Sequence, residues 1–191
     1  MNSMPRKAAA AKQAGAAGFM EDLGARAVSM LGDPAIDDSL RLDNFRQLMK
    51  EGFDLPTIAR FILGRFWKGA SDSQRASFIE VFQQVMAARF APFFTGASAE
   101  SFEIKGATED AEKSGLFTVD SIVKLVSGKF ADVKWRVVEK DGSYRIVDVV
   151  TEGVSMGITL RSEYGSVIGQ SGGNIDPLIE QLRAKVKQAS T

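Results

Sequence analysis

The chain has 191 residues, 45% hydrophobic and 25% charged, the balance of a globular protein long enough to bury a sizeable core. Its 24 Lys and Arg offset its 24 Asp and Glu, and that neutral balance argues against nucleic acid as the main partner. The absence of Cys and His removes disulfides, thiolate chemistry, the commonest metal ligand and the commonest general base. A catalytic site would have to use carboxylates, Tyr, Lys or Ser.

No apolar run reaches the roughly 18–20 residues that a membrane-spanning helix needs. Residues 1–18 mix Arg6, Lys7 and Lys12 with many alanines and lack the leucine-rich stretch of an export signal. They predict a flexible or frayed-helical tail ahead of one domain over residues 19–191.

From Phe19 the period is helical. Phe19, Leu23, Ala27, Met30 and Leu31 fall on one face and stop at Gly32-Asp33-Pro34. Asp37 or Asp38 caps a second helix carrying Leu40, Phe45, Leu48 and Met49, with Gly52 past its end. Asp54 caps a third, with Pro56 in its first turn and Ile58, Phe61, Ile62 and Leu63 following. Ser71 opens a longer helix that runs through Phe78, Phe82, Met86 and Phe90 and ends between Pro92 and Gly96.

The second half is rich in Val, Ile, Phe and Thr at period two. Strands are expected over 101–105, 115–127, 130–140 and 143–152, divided by turns at Gly106–Glu109, Ser127–Lys129 and Asp141-Gly142. Phe117, Val119, Ser121, Val123 and Leu125 share one strand face, as do Tyr144, Ile146, Asp148 and Val150 on the last strand. After Gly153 helices return over about 156–168 and 175–186. Segregated helices beside an antiparallel meander imply an α+β fold: a four-stranded sheet covered by helices and able to enclose an apolar pocket.

Several stretches carry a resemblance. Arg60-Phe61-Ile62-Leu63-Gly64-Arg65-Phe66-Trp67 precedes Gln74-Arg75, Phe78 and Phe82. Trp135-Arg136-Val137, Tyr144-Arg145-Ile146-Val147-Asp148-Val149 and Glu152-Gly153-Val154-Ser155 follow, then Arg161-Ser162-Glu163-Tyr164 and Gly172-Gly173 before Ile175-Asp176-Pro177-Leu178-Ile179. In this order the set, over about residues 19–187, resembles the MlaC family, also called the toluene-tolerance auxiliary component family, which includes a hopanoid-associated branch, HpnM. The resemblance implies a nuclear-transport-factor-like fold with a deep apolar pocket for phospholipid. It further implies a periplasmic carrier, its export signal removed, that exchanges lipid with an outer-membrane lipoprotein complex and an inner-membrane ABC transporter. Such a carrier needs no nucleotide or metal cofactor, and its lipid headgroup can stay in solvent.

The residues expected to line that pocket are Phe82, Val85, Met86, Phe90 and Phe94 from the fourth helix and its end. The strands offer Val119, Trp135, Val137, Ile146 and Val150, and the strand-to-helix junction offers Val154, Met156 and Leu160. Thirteen Phe and seven Met suit a wall for flexible alkyl chains, although each residue is equally ordinary as core packing. Asp148 is expected to point inward and to pair with Arg161 or Arg136; Arg161 is alternatively placed to meet a phosphate oxygen. Gly169–Asn174 matches no phosphate-loop spacing and reads as a helix connection. Two rival readings remain open. One is a ketosteroid-isomerase-like enzyme recruiting Asp148, Asp120, Tyr144 and Tyr164. The other is an interaction protein with a filled core.

Overall fold

The computed structural model describes residues 4–124 and 127–189; Met1 to Ser3 of the expected tail and Leu125 lie outside them. The element order is α1 (Met4–Leu31), α2 (Asp38–Gly52), α3 (Leu55–Leu63), α4 (Asp72–Phe90), β1 (Phe102–Glu109), β2 (Leu116–Lys124), β3 (Phe130–Lys140), β4 (Ser143–Thr151), β5 (Val154–Ser155), α5 (Met156–Gln170) and α6 (Asp176–Ala189). The strands form one antiparallel meander in the order β1-β2-β3-β4-β5. The sheet therefore has five strands where four were expected. The fifth is the two-residue return Val154–Ser155, which pairs with Thr151 and Val150 before the chain enters α5.

Helix starts follow the local chemistry of their caps. Asp37 accepts from the Ser39 amide, Asp54 from Thr57, and Ser71 and Gln74 form a reciprocal capping box, so free amides at three helix starts find side-chain oxygens. Asp141 and Gly142 both take positive φ, the primed turn that matches the twist of a two-residue hairpin.

Two elements depart from the expectation. Residues 7–18 are no free tail: α1 begins at Met4, and its alanine-rich part is held against the β3–β4 hairpin. Ala16 is fully buried, the Tyr144 hydroxyl donates to the Lys12 carbonyl, and Lys12 pairs with Glu139 at 2.8 Å. Likewise Gly106 does not end β1. It sits at a register shift after Ile104, a bulge that leaves the strand free to run on to Glu109. The reversal comes later, where Asp110 accepts from the amides of Glu112 and Lys113.

The helices make two cores. One is all-helical and joins α3, α4, α5 and α6 around Phe78, Ile62, Ile168 and Leu178. The other packs α1 and α2 on the sheet, around Met20, Leu31, Phe117, Val137 and Ile146. Phe45 and Phe53 touch both. The α2–α3 junction is pinned to the sheet by a bridge from Phe53 to Ile146 and by the Asp54 amide donating to the Ile146 carbonyl at 2.9 Å.

Candidate ligand-binding cavity

Between the two cores the side chains fail to meet and leave a cavity of about 350 Å³, inside the range of small-molecule clefts, roughly 300–1,000 Å³. Every layer contributes to its wall. α1 lays down Met20, Leu23, Gly24, Ala27, Val28 and Leu31 at helical spacing, facing Leu48 and Met49 of α2. α4 presents Phe82, Met86 and Phe90 one turn apart, and the 3-10 turn after it adds Phe93 and Phe94. Ile58, Phe61 and Ile62 of α3 and Met156, Gly157 and Leu160 of α5 close the helical side. The sheet supplies one of its ends: Val123 and Lys124 of β2, Ala131, Val133 and Trp135 of β3, and Ile146 to Val149 with Thr151 of β4.

The few polar groups in this wall are mostly occupied within the protein. The Trp135 indole donates to the Ser121 hydroxyl at 2.8 Å, and that hydroxyl donates to the Val133 carbonyl at 3.0 Å, so the indole offers only its apolar faces. Asp148 accepts from the amides of Val149 and Gly157, both at 2.9 Å, and from the Ser155 hydroxyl at 2.5 Å. It thereby ties the start of α5 to β4. Phe61 and Phe93 line the cavity yet are 43% and 54% exposed, which marks where the cavity meets solvent.

Of the thirteen residues expected to line a pocket, eight stand in this wall: Phe82, Met86, Phe90, Phe94, Trp135, Ile146, Met156 and Leu160. Val119 and Val137 are fully buried in the core beneath α1, and Val85 packs in the helical core. Val150 is half-buried outside the wall, and Val154 is 59% exposed. The expected Asp148 ion pair does not form. Arg136 lies 3.7 Å from Asp110, and Arg161 sits over the Phe61 ring and donates to the Phe61 carbonyl, outside the wall. Unforeseen in the sequence were the α1 stripe, whose apolar period reads equally as core, and Lys124, which closes a strand in an unremarkable position.

The four residues of the enzyme reading do not converge. Asp148 is held by its three donors, and Asp120 pairs with Lys134. Tyr144 stacks on Phe19 and holds α1, while burial among helices pushes the Tyr164 phenol up to about 12. Gly169–Asn174 is the α5–α6 connection, with positive φ at Gly172 and Gly173. Among the described residues no group of acidic side chains is placed to hold a metal, and no helix is long and apolar enough to cross a membrane.

A helix-covered antiparallel meander wrapped around a cavity defines the class: an α+β protein with an apolar chamber between two cores. The chain belongs to the MlaC family, whose model, described as MlaC protein, matches residues 25–184. A curated relative, the intermembrane phospholipid transport system binding protein MlaC of Haemophilus influenzae, is 25% identical over 129 residues. That match takes in 66% of this chain and spans 59% of the relative's length. The fold is that of a phospholipid-binding protein from Ralstonia solanacearum, solved in complex with a phospholipid. The two agree with a TM-score of 0.73 at 19% identity, over 92% of this chain and 99% of that one.

Proposed function

We propose that this chain is a periplasmic carrier that takes the acyl chains of a phospholipid into the cavity and moves the lipid between membranes. In this reading it exchanges lipid with an outer-membrane lipoprotein complex and an inner-membrane ABC transporter. The observation that carries the proposal is the cavity itself, an apolar chamber whose one carboxylate among the described residues is already satisfied by protein donors. The names of the Haemophilus relative and of the Ralstonia structure point to the same ligand. Phe82, Met86, Phe90, Phe94, Trp135, Ile146, Met156 and Leu160 are the sequence-expected residues that would contact the tails.

Burying a methylene stabilises by about 0.8 kcal/mol, so two acyl chains of some 30 methylenes gain on the order of 20 kcal/mol gross when removed from water. A lipid therefore crosses water very slowly alone, and a chamber offering comparable burial removes most of that barrier. Release then depends on a difference in affinity between the carrier and its membrane partners.

Mass spectrometry of an organic extract of natively purified protein tests the proposal. Intact phospholipid in near-stoichiometric amount is expected. A pentacyclic hopanoid in its place would move the ligand to that class, and an extract free of lipid would overturn the carrier reading.

A further inference from the structure

Phe61 belongs to the cavity wall and is yet 43% exposed, which puts its ring at the rim. Four contacts fix where that ring lies. The Arg161 guanidinium is stacked over it, 5.1 Å from its centroid. The same guanidinium donates to the Phe61 carbonyl at 3.3 Å, in the last turn of α3, where carbonyls run out of helical partners. Gly64, just past α3 and at positive φ, leaves space for the guanidinium: a Cβ there would lie 3.1 Å from it. Gly157, in the first turn of α5, leaves space for the ring, which would lie 3.2 Å from a Cβ at that position. Among the described residues no cation lies over Phe93, the other exposed ring of the wall.

A tail that enters or leaves the chamber passes a rim that includes this ring. Swinging the ring aside breaks the stack, while the bond to the Phe61 carbonyl keeps the guanidinium in place. We propose that Arg161 is a positioning residue for ligand exchange: it holds the Phe61 ring at the mouth and so slows the passage of a lipid tail. This inference rests on the carrier reading and adds the contact that sets its rate. Arg161 acts through the ring, and the ring meets the tail. Displacing the ring is a step on the way in and on the way out alike. The stack therefore changes both rates by the same factor and leaves the amount bound at equilibrium unchanged.

The test mixes full-length protein carrying dioleoyl phosphatidylglycerol with an excess of vesicles of the same lipid with deuterated tails. Protein is separated from the vesicles at intervals, and the ratio of light to heavy bound lipid is read by mass spectrometry. Arg161→Gln should exchange about fivefold faster than wild type, the scale of one exposed cation–π contact, with total lipid per protein unchanged. Arg161→Lys, which keeps a cation able to reach the ring, should fall between the two. Phe61→Leu removes the ring but keeps an apolar rim. It should also exchange faster, and adding Arg161→Gln to it should change nothing further. A wild-type rate in Arg161→Gln overturns the inference. So does an undiminished acceleration by Arg161→Gln in the Phe61→Leu background, because the arginine would then act through something other than the ring. Both of these outcomes leave the carrier reading intact, whereas wild type that takes up no lipid overturns both.

Discussion

Gly24 of α1 and Phe102 of β1 leave no room between them: a Cβ built on Gly24 would lie 2.2 Å from the Phe102 ring. That ring meets Trp135 edge-on, with centroids 6.1 Å apart, and both aromatics line the cavity. In an open helix, Gly→Ala stabilises by about 1 kcal/mol. Here the added methyl must push aside a ring wedged between a helix and an indole, and overpacking of that kind costs about 1–3 kcal/mol. Gly24→Ala should therefore destabilise by roughly 1 kcal/mol in urea denaturation and reduce lipid loading as the ring moves into the chamber. Adding Phe102→Leu should restore both; a single variant more stable than wild type would show that the contact is slack.

Ala27, one turn further along α1, is 8% exposed and faces the empty space. Ala27 also belongs to the sheet-side core, but a larger side chain directed into the void avoids much of the usual overpacking cost and gains new apolar contacts. Ala27→Phe is expected to fold with an unchanged or higher melting temperature while holding less acyl mass per protein. Full loading in this variant would mean that the tails lie elsewhere.

Asp148 distinguishes a structural from a chemical use of the cavity. Its oxygens join two amides and a hydroxyl at the β4–β5–α5 corner, and the same Ser155 oxygen accepts from the Ile158 amide to cap α5. Hydrogen bonds to a charged group contribute about 1.5–3 kcal/mol each, so Asp148→Ala should destabilise by at least about 2 kcal/mol. Asp148→Asn keeps one acceptor and should cost about half as much. The Asn variant should still load lipid at the wild-type level, measured by extract mass spectrometry. A stable Asn variant that leaves a bound molecule unconverted where wild type converts it would instead favour an Asp-based catalyst.

How much of this was readable from the residues depended on how local each cause is. The caps Asp37, Asp54 and Ser71 and the Asp141-Gly142 turn act within four residues, and the observed elements begin and turn where those signals stand. The extension of α1 was missed because its anchors, Glu139 and Tyr144, are more than 120 residues away. Phe78 and Phe82 sit on the same helix, with the same chemistry and in the same helical core, yet only Phe82 also reaches the wall. A cavity exists where two layers fail to meet, and no periodicity within one layer records that. Strand alternation also misleads at β4. The register shift between Arg136 and Val137 accompanies four consecutive residues, Ile146 to Val149, that all reach the wall.

Tyr164 should leave a signature in alkali. It is 5% exposed, packed edge-on to Phe78 at 6.2 Å. Burial first, and the Glu163 carboxylate second, push its phenol from 10.0 up to about 12. The folded state therefore holds the phenol's proton more tightly than the unfolded chain does. The stability linked to this group is fully present below about pH 10 and is lost as pH rises through about 12, a change of about 2–3 kcal/mol. Tyr144, the other tyrosine, is also shifted upward by burial, but it is present in both proteins and cancels from their difference. Tyr164→Phe removes the titrating group while keeping the ring against Phe78. Its unfolding free energy, followed by urea denaturation across this pH range, should fall less steeply than that of wild type. Parallel curves would mean that the hydroxyl already reaches water in the folded protein.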